Sequence, residues 1–89
     1  QAVSVGASDE TKFSGKVEAF LDVNEDDMFY QKILLRDDRL IGISGINASF
    51  DPGIMWQLIL LAADLGPVKK QFLDNPLDVG RDVMSRLWR

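Results

Sequence analysis

The residues best placed to bind an ion are acidic side chains in the first third of the chain. Asp22, Asn24 and Asp26 have the spacing of the first three ligand positions of a calcium-binding loop. The sixth position of such a loop is Asp27 instead of glycine, and the twelfth is Ile33 instead of a glutamate. The run therefore predicts an exposed turn, with a weak cation site as the minor alternative.

Other residue types that could do chemistry are scarce. The chain has no Cys and no His, which excludes a disulfide framework, a zinc finger and a Ser-His-Asp triad. Asp37 and Asp38 are adjacent carboxylates, but nothing around them indicates the burial that a general acid needs. Gly42 and Gly45 lack the setting of a phosphate-binding loop and instead predict a bulge or a close backbone approach. The lysine pair that starts at Lys69 could hold an anion, although a surface ion pair is the more common role.

The charge is concentrated in one place. The formal net charge is −4 over 89 residues, and four residues account for it: Asp22, Glu25, Asp26 and Asp27. No basic stripe is present, so nucleic acid is not an expected partner. The longest apolar stretch runs from Ile54 to Ala63 and is about half as long as a membrane span requires. We therefore expect no membrane partner, and we expect a cytoplasmic location because there is no Cys and no visible signal peptide.

Hydrophobic periodicity predicts four strands in the first half of the chain, at about 2–7, 17–23, 28–36 and 39–47. The second strand is predicted to be half-buried, because Val17, Ala19, Leu21 and Val23 share one side of it. Two aspartates separate the last two strands, a spacing that predicts a hairpin.

The period becomes helical after Asp51, and helices are predicted at about 52–65, 68–73 and 76–88. Asp51 and Pro52 form a helix-start pair, and Gly66 with Pro67 is a stop signal. The first helix is apolar nearly all round, so we expect it to be largely buried. Strands followed by helices predict an α+β fold with an antiparallel sheet, in a single domain over residues 1–89.

The hairpin sequence resembles a known family. A strand of type Tyr-x-Lys-apolar, a short acidic turn and a strand of type Arg-Leu-apolar-Gly occur together, and the matching residues are Tyr30, Lys32, Leu35, Arg39, Leu40 and Gly42. This pattern is similar to the C-terminal domain of FAD-dependent NAD(P)H oxidoreductases, the group of rubredoxin reductases and assimilatory nitrite reductase flavoproteins. The opening strand, which ends at Gly6, also looks like the first strand of that domain.

The resemblance implies that the chain is an excised C-terminal domain of a larger flavoprotein. The parent enzyme would pass electrons from NAD(P)H through FAD to an acceptor, while this domain alone would bind neither cofactor and catalyse nothing. Its implied partners are the upstream FAD- and NAD-binding domains of the same chain, and a homo-oligomer is possible. The residues expected at the interface are Tyr30, Lys32, Asn47, Trp56 and Trp88.

Two alternatives stay open. The chain could be an autonomous interaction module that binds through the hairpin edge and Trp88. It could also be a small hydrolase that uses a carboxylate pair, in which case an Asp or Glu would have a strongly shifted pKa.

Overall fold

The computed structural model describes residues 2–7 and 16–87. Four strands come first: β1 (Ala2–Gly6), β2 (Val17–Asn24), β3 (Phe29–Arg36) and β4 (Arg39–Ile46). Three helices follow, α1 (Pro52–Leu60), α2 (Lys69–Asp74) and α3 (Pro76–Leu87), with a single 3₁₀ turn (Gly66–Val68) before α2. The predicted α+β fold with an antiparallel sheet is confirmed.

The sheet has the order β1-β4-β3-β2, and every neighbouring pair is antiparallel. Strands β3 and β4 form the predicted hairpin, with Arg36 opposite Arg39. Its two turn residues, Asp37 and Asp38, have φ of 52° and 61°. Positive φ at both central residues is the geometry of a type I′ turn, whose twist matches that of the flanking strands.

The helices cover one face of the sheet, and the core lies between the two layers. Helix α1 packs on β1 and β4, and α3 packs on α1 and α2. The most deeply buried core side chains come from both layers and are Ile33, Leu35, Leu40, Ile43, Met55, Leu58, Leu65 and Phe72. No helix within residues 16–87 is long and apolar enough to cross a bilayer.

Helix α1 is shorter and more exposed than the sequence predicts. It ends at Leu60 instead of residue 65, because Ala62 adopts a left-handed conformation with φ of 49°. The Ala62 and Ala63 amides donate to the carbonyls of Ile59 and Leu58, which closes the helix before the Gly66 stop signal. The expectation that α1 would be largely buried is wrong, since only Met55 and Leu58 are fully covered.

The chain after α1 folds back onto the β3–β4 hairpin, which explains the early end of the helix. Leu65 is completely buried, and its amide donates to the Asp38 carbonyl over 2.8 Å. Asp64 forms an isolated bridge with Arg39. A helix continued to residue 65 would lose these contacts, so tertiary packing determines where α1 stops.

Close backbone approach occurs at both hairpin glycines, as predicted. A Cβ on Gly42 would lie 1.8 Å from the Ala7 carbonyl oxygen, so the chain leaving β1 passes directly over this position. A Cβ on Gly45 would lie 3.0 Å from the Tyr30 carbonyl oxygen and 2.6 Å from the Ala48 side chain. The β3–β4 register also shifts between Leu34 and Leu35, next to Gly42 in the ladder.

Candidate interaction surface

The strands present mainly apolar side chains on both faces of the sheet. We call the face without helices the outer sheet face. Because neighbours in the ladder point to the same side, the register places these residues on it: Ala2, Ser4, Val17, Ala19, Leu21, Val23, Tyr30, Lys32, Leu34, Ser44 and Ile46. Most of these side chains are apolar, as in a sheet that is covered on both sides.

Strand β2 carries most of this outward apolar surface. The predicted period is confirmed, but the side that meets the core is the one with Phe20, whose neighbours Glu18 and Asp22 are charged. The more apolar side points outward, leaving Leu21 62% exposed and Val23 50% exposed. Apolar side chains that avoid the core of their own domain are a common sign of an interaction site when they form a contiguous patch.

Tyr30 lies in the middle of the outer sheet face. In the ladder it lies between Val23 of β2 and Ile46 of β4. Together with Ser4 and Ser44 it lines an open groove of about 210 Å³ whose walls are mainly apolar. This groove has room for side chains of a partner, and three hydroxyl groups lie along its mainly apolar walls.

Lys32 and Asn47, two further residues expected at the interface, lie near Tyr30. Lys32 is half-buried, one alternate position further along β3, and opposes Leu21 and Ser44. Asn47 follows β4 with φ of 57°, and its Nδ2 donates to the Met28 carbonyl over 3.0 Å. Asn47 thus holds the turn between β2 and β3, a positioning role that the sequence did not reveal.

That turn, residues 24–28, is the exposed acidic turn predicted from the sequence. The Asn24 Oδ1 accepts hydrogen bonds from the Asp26 and Asp27 amides, and its Nδ2 donates to the Asp27 carboxylate. These hydrogen bonds occupy the Asn24 side-chain oxygen, the atom that would bind the ion in a calcium loop. Among the described residues, no three acidic side chains come together as a metal site.

Trp56 lies in the other layer of the fold. It is 47% exposed on α1, beside Leu60, which is 59% exposed and one helical turn further on. The structure therefore separates Trp56 from Tyr30, Lys32 and Asn47, which the sheet brings together. Trp88, the fifth residue expected at the interface, lies outside the described residues.

Lys69 forms ion pairs, the role favoured for the lysine pair, with partners that the sequence did not identify. Its Nζ donates to Glu18 Oε1 over 2.9 Å, lies 3.3 Å from Asp38 Oδ1 and is 5.4 Å from the centre of the Phe20 ring. The hydrogen bond to Glu18 raises the pKa of Lys69; partial burial opposes this, and Asp38 adds to it. Since Glu18 and Lys69 are 51 positions apart, no local pattern in the sequence could have revealed this pair.

The remaining motifs do not form a catalytic centre or a nucleotide site. Asp37 and Asp38 form the type I′ turn described above, and Asp38 is engaged by Lys69. The amides at the start of α1, which could otherwise receive a phosphate, donate to the Asp51 carboxylate. Because Asp51 caps them, the Gly53 and Ile54 amides are not presented to a nucleotide phosphate.

Fold and surface together define a small α+β domain whose outer sheet face is suited to protein contacts. The chain is similar to the NADH-dependent phenylglyoxylate dehydrogenase subunit epsilon of Aromatoleum evansii, with 42% identity over 88 residues. The match covers 99% of this chain but only 20% of that protein, so the chain spans about a fifth of its relative. No protein-family model and no solved structure matches the chain.

Proposed function

We propose that this chain is the C-terminal interface domain of a FAD-dependent NAD(P)H oxidoreductase, and that the domain itself is not catalytic. The parent enzyme would pass electrons from NAD(P)H through FAD to an acceptor. The FAD- and NAD-binding domains would lie upstream in the same polypeptide. The similarity to a subunit of an NADH-dependent dehydrogenase supports the oxidoreductase class, and the hairpin resemblance supports the flavin.

The main support for an interface role is the exposure of apolar side chains on the outer sheet face. Leu21, Val23 and Ile46 are each more than two-fifths exposed, although they belong to strands with a well-packed opposite face. Leaving such side chains in water forgoes about 25 cal/mol for each Å² that could be buried. A domain that is one part of a larger enzyme recovers this free energy by packing against its neighbours.

The proposed interface to the upstream domains contains Tyr30, Lys32, Asn47, Trp56 and Trp88. The first three are close together, because β3 and the end of β4 are neighbours in the sheet. Trp56 lies on α1, in the other layer of the fold, so upstream domains that contact it as well must reach around the sheet.

The test uses the whole parent polypeptide, purified with any subunits that accompany it. We expect a visible flavin absorption band and NADH-dependent reduction of an artificial electron acceptor. A colourless polypeptide without such activity would contradict the proposal and would favour the autonomous interaction module.

Oxidative footprinting of the same polypeptide tests the interface residues. We expect Trp56 to be protected, although its side chain is 47% exposed in the domain alone. Leu61, which follows α1 and is 52% exposed, is the comparison, because it is not among the proposed interface residues. Equal labelling of Trp56 and Leu61, after correction for intrinsic reactivity, would remove Trp56 from the interface.

A further inference from the structure

Strand β2 forms one edge of the sheet. Within residues 2–7 and 16–87 it pairs with β3 alone, so one side of its backbone has no strand beside it. The strand at the other edge, β1, has five residues, whereas β2 has eight. Its two charged side chains, Glu18 and Asp22, are both on the helix side of the sheet. A long edge strand with so little charge is suited to pairing with a strand of another chain.

The hairpin determines which backbone groups of β2 face the open side. Arg36 and Arg39 flank a two-residue turn, and such a flanking pair is hydrogen-bonded. The bulge inserts Ile41 into β4 and leaves the alternation along β3 unbroken, so odd-numbered residues of β3 bond to β2. These residues oppose even-numbered residues of β2. The N–H and C=O groups that face the open side therefore belong to Val17, Ala19, Leu21 and Val23.

The charges at the two ends of β2 have opposite signs. Lys16 is exposed directly before the strand, and Glu25, Asp26 and Asp27 are exposed directly after it. Within the part of the chain that the structure describes, none of these four side chains forms an ion pair. When two copies of the strand lie antiparallel, the start of each meets the end of the other. The edge is therefore complementary in charge to a second copy of itself.

The side chains select the register of such a pair. Because residues opposite each other point to the same face of a sheet, a two-fold axis passes through a residue of β2. The two registers with the longest overlap have the axis at Phe20 or at Leu21. An axis at Phe20 sets Glu18 directly opposite Asp22, and like charges in that position are destabilising. An axis at Leu21 instead sets Asp22 opposite Phe20, whose ring centre lies 5.4 Å from the Lys69 ammonium.

We propose that two copies of this domain join through their β2 edges, antiparallel about a two-fold axis at Leu21, and form one continuous sheet. The free backbone groups of β2 bond across the axis, and Lys16 of each copy pairs with residues 25–27 of the other. The contact uses the edge of the sheet. The groove beside Tyr30, on the outer sheet face, stays available to the upstream domains of the proposed function.

Crosslinking of the whole parent polypeptide tests the register. A link that joins position 21 to position 21 connects two copies, because a residue cannot be linked to itself. Opposed residues of a hydrogen-bonded pair have Cα atoms about 5.5 Å apart, so a short bis-maleimide reagent is expected to link a Leu21→Cys variant. Leu60→Cys, at an exposed position on α1, is the control and should give no self-linked peptide by mass spectrometry. No link at position 21, or equal linking at both positions, would overturn the proposal.

A proline substitution separates association from folding. Ala19→Pro removes an N–H group that faces the open edge and leaves the bonds between β2 and β3 in place, a position where strands tolerate proline. The two-fold axis removes this bond twice, so association of the parent polypeptide should weaken about tenfold. Ala19→Val keeps the N–H group and should associate as the natural protein does. Analytical ultracentrifugation compares them, and equal association in the two variants would contradict pairing through this edge.

The charge at the start of β2 is tested by Lys16→Glu. This variant should weaken association at low ionic strength and have a smaller effect at high ionic strength, because salt screens exposed charges. Lys70→Glu, at an exposed position on α2, changes the net charge equally and is the control. Equal effects of the two variants would show that Lys16 does not meet the acidic turn. These measurements report association alone, whereas failure of the proposed function would appear as a colourless polypeptide without NADH oxidation.

Discussion

The two faces of the sheet differ in how far their apolar side chains are exposed to water. On the core face, Ile33, Leu35 and Ile43 are each at most 1% exposed beneath the helices. On the outer sheet face, side chains of the same chemical type are open to water, with Leu21 62% exposed. Both faces are apolar, so the difference lies in what covers them. The domain builds one core by itself and leaves a second apolar surface exposed.

The outer sheet face itself is not uniform. At the hairpin end, Leu34 is 1% exposed, and the chain at Ala7 passes over Gly42. At the opposite end, Val23 and Ile46 are exposed beside the acidic turn. Among the described residues, the outer face is therefore covered at the hairpin end and exposed at the opposite end, where we place the contacts with partners.

A matched pair of leucine truncations tests the comparison most directly, with the largest expected effect. Leu35→Ala removes a fully buried side chain from the core face and should lower the free energy of unfolding by about 2–5 kcal/mol. Leu21→Ala, on the outer face, should change it by less than about 0.5 kcal/mol. Chemical denaturation of the two variants checks this. Similar losses in both would mean that the two faces are not energetically different.

The covered end of the outer face can be tested at Gly42. Gly42→Ala should destabilise the domain by about 1–3 kcal/mol, because the new methyl group would overlap the Ala7 carbonyl and the backbone would have to move. Gly53→Ala is the control, since its nearest heavy atom would be 3.3 Å away, in the Asp51 side chain. Thermal unfolding compares them, and an unchanged Gly42→Ala variant would show that the chain does not cover this end.

A smaller effect, this time a gain in stability, is expected in the turn after α1, which leads to the buried Leu65. Ala62 has a left-handed backbone with φ of 49°, which an alanine side chain disfavours and a glycine does not. Ala62→Gly should therefore raise the free energy of unfolding by about 0.5–1 kcal/mol. Ala63→Gly, one residue later and buried, should lower it. A loss of stability in Ala62→Gly would contradict the helix end described here.

The smallest effect concerns the Lys69 contacts that join α2 to β2 and the hairpin. Because the folded-state pKa of Lys69 lies above its unfolded value, its contribution is fully present below about pH 10.5 and is lost as the pH rises through the folded value. The difference in unfolding midpoint between the natural protein and Lys69→Met should therefore shrink between about pH 9 and about pH 12. Lys70→Met is the control, and a difference that grows with pH would reverse the assignment.

Local signals in the sequence predicted the candidate surface only in part. Tyr30, Lys32 and Asn47 were found through the hairpin pattern, and the hairpin brings them together. The alternation in β2 was also visible, but not which side would face the core. Phe20 is on that side because α2 places Lys69 over its ring and against Glu18, and these residues are far apart in the chain. A period of two identifies the two sides of a strand without saying which one is covered.

The sequence by itself determined the order and type of the elements, because strand period, the two-aspartate turn and the Asp51 cap are all local. It also determined that catalysis by Cys or His is absent and that the net charge is concentrated in one turn. Only the tertiary structure decided where α1 ends, since burial of Leu65 competes with helix continuation. Tertiary structure also decided which apolar surface stays in water, because a face becomes a core only when another element packs on it.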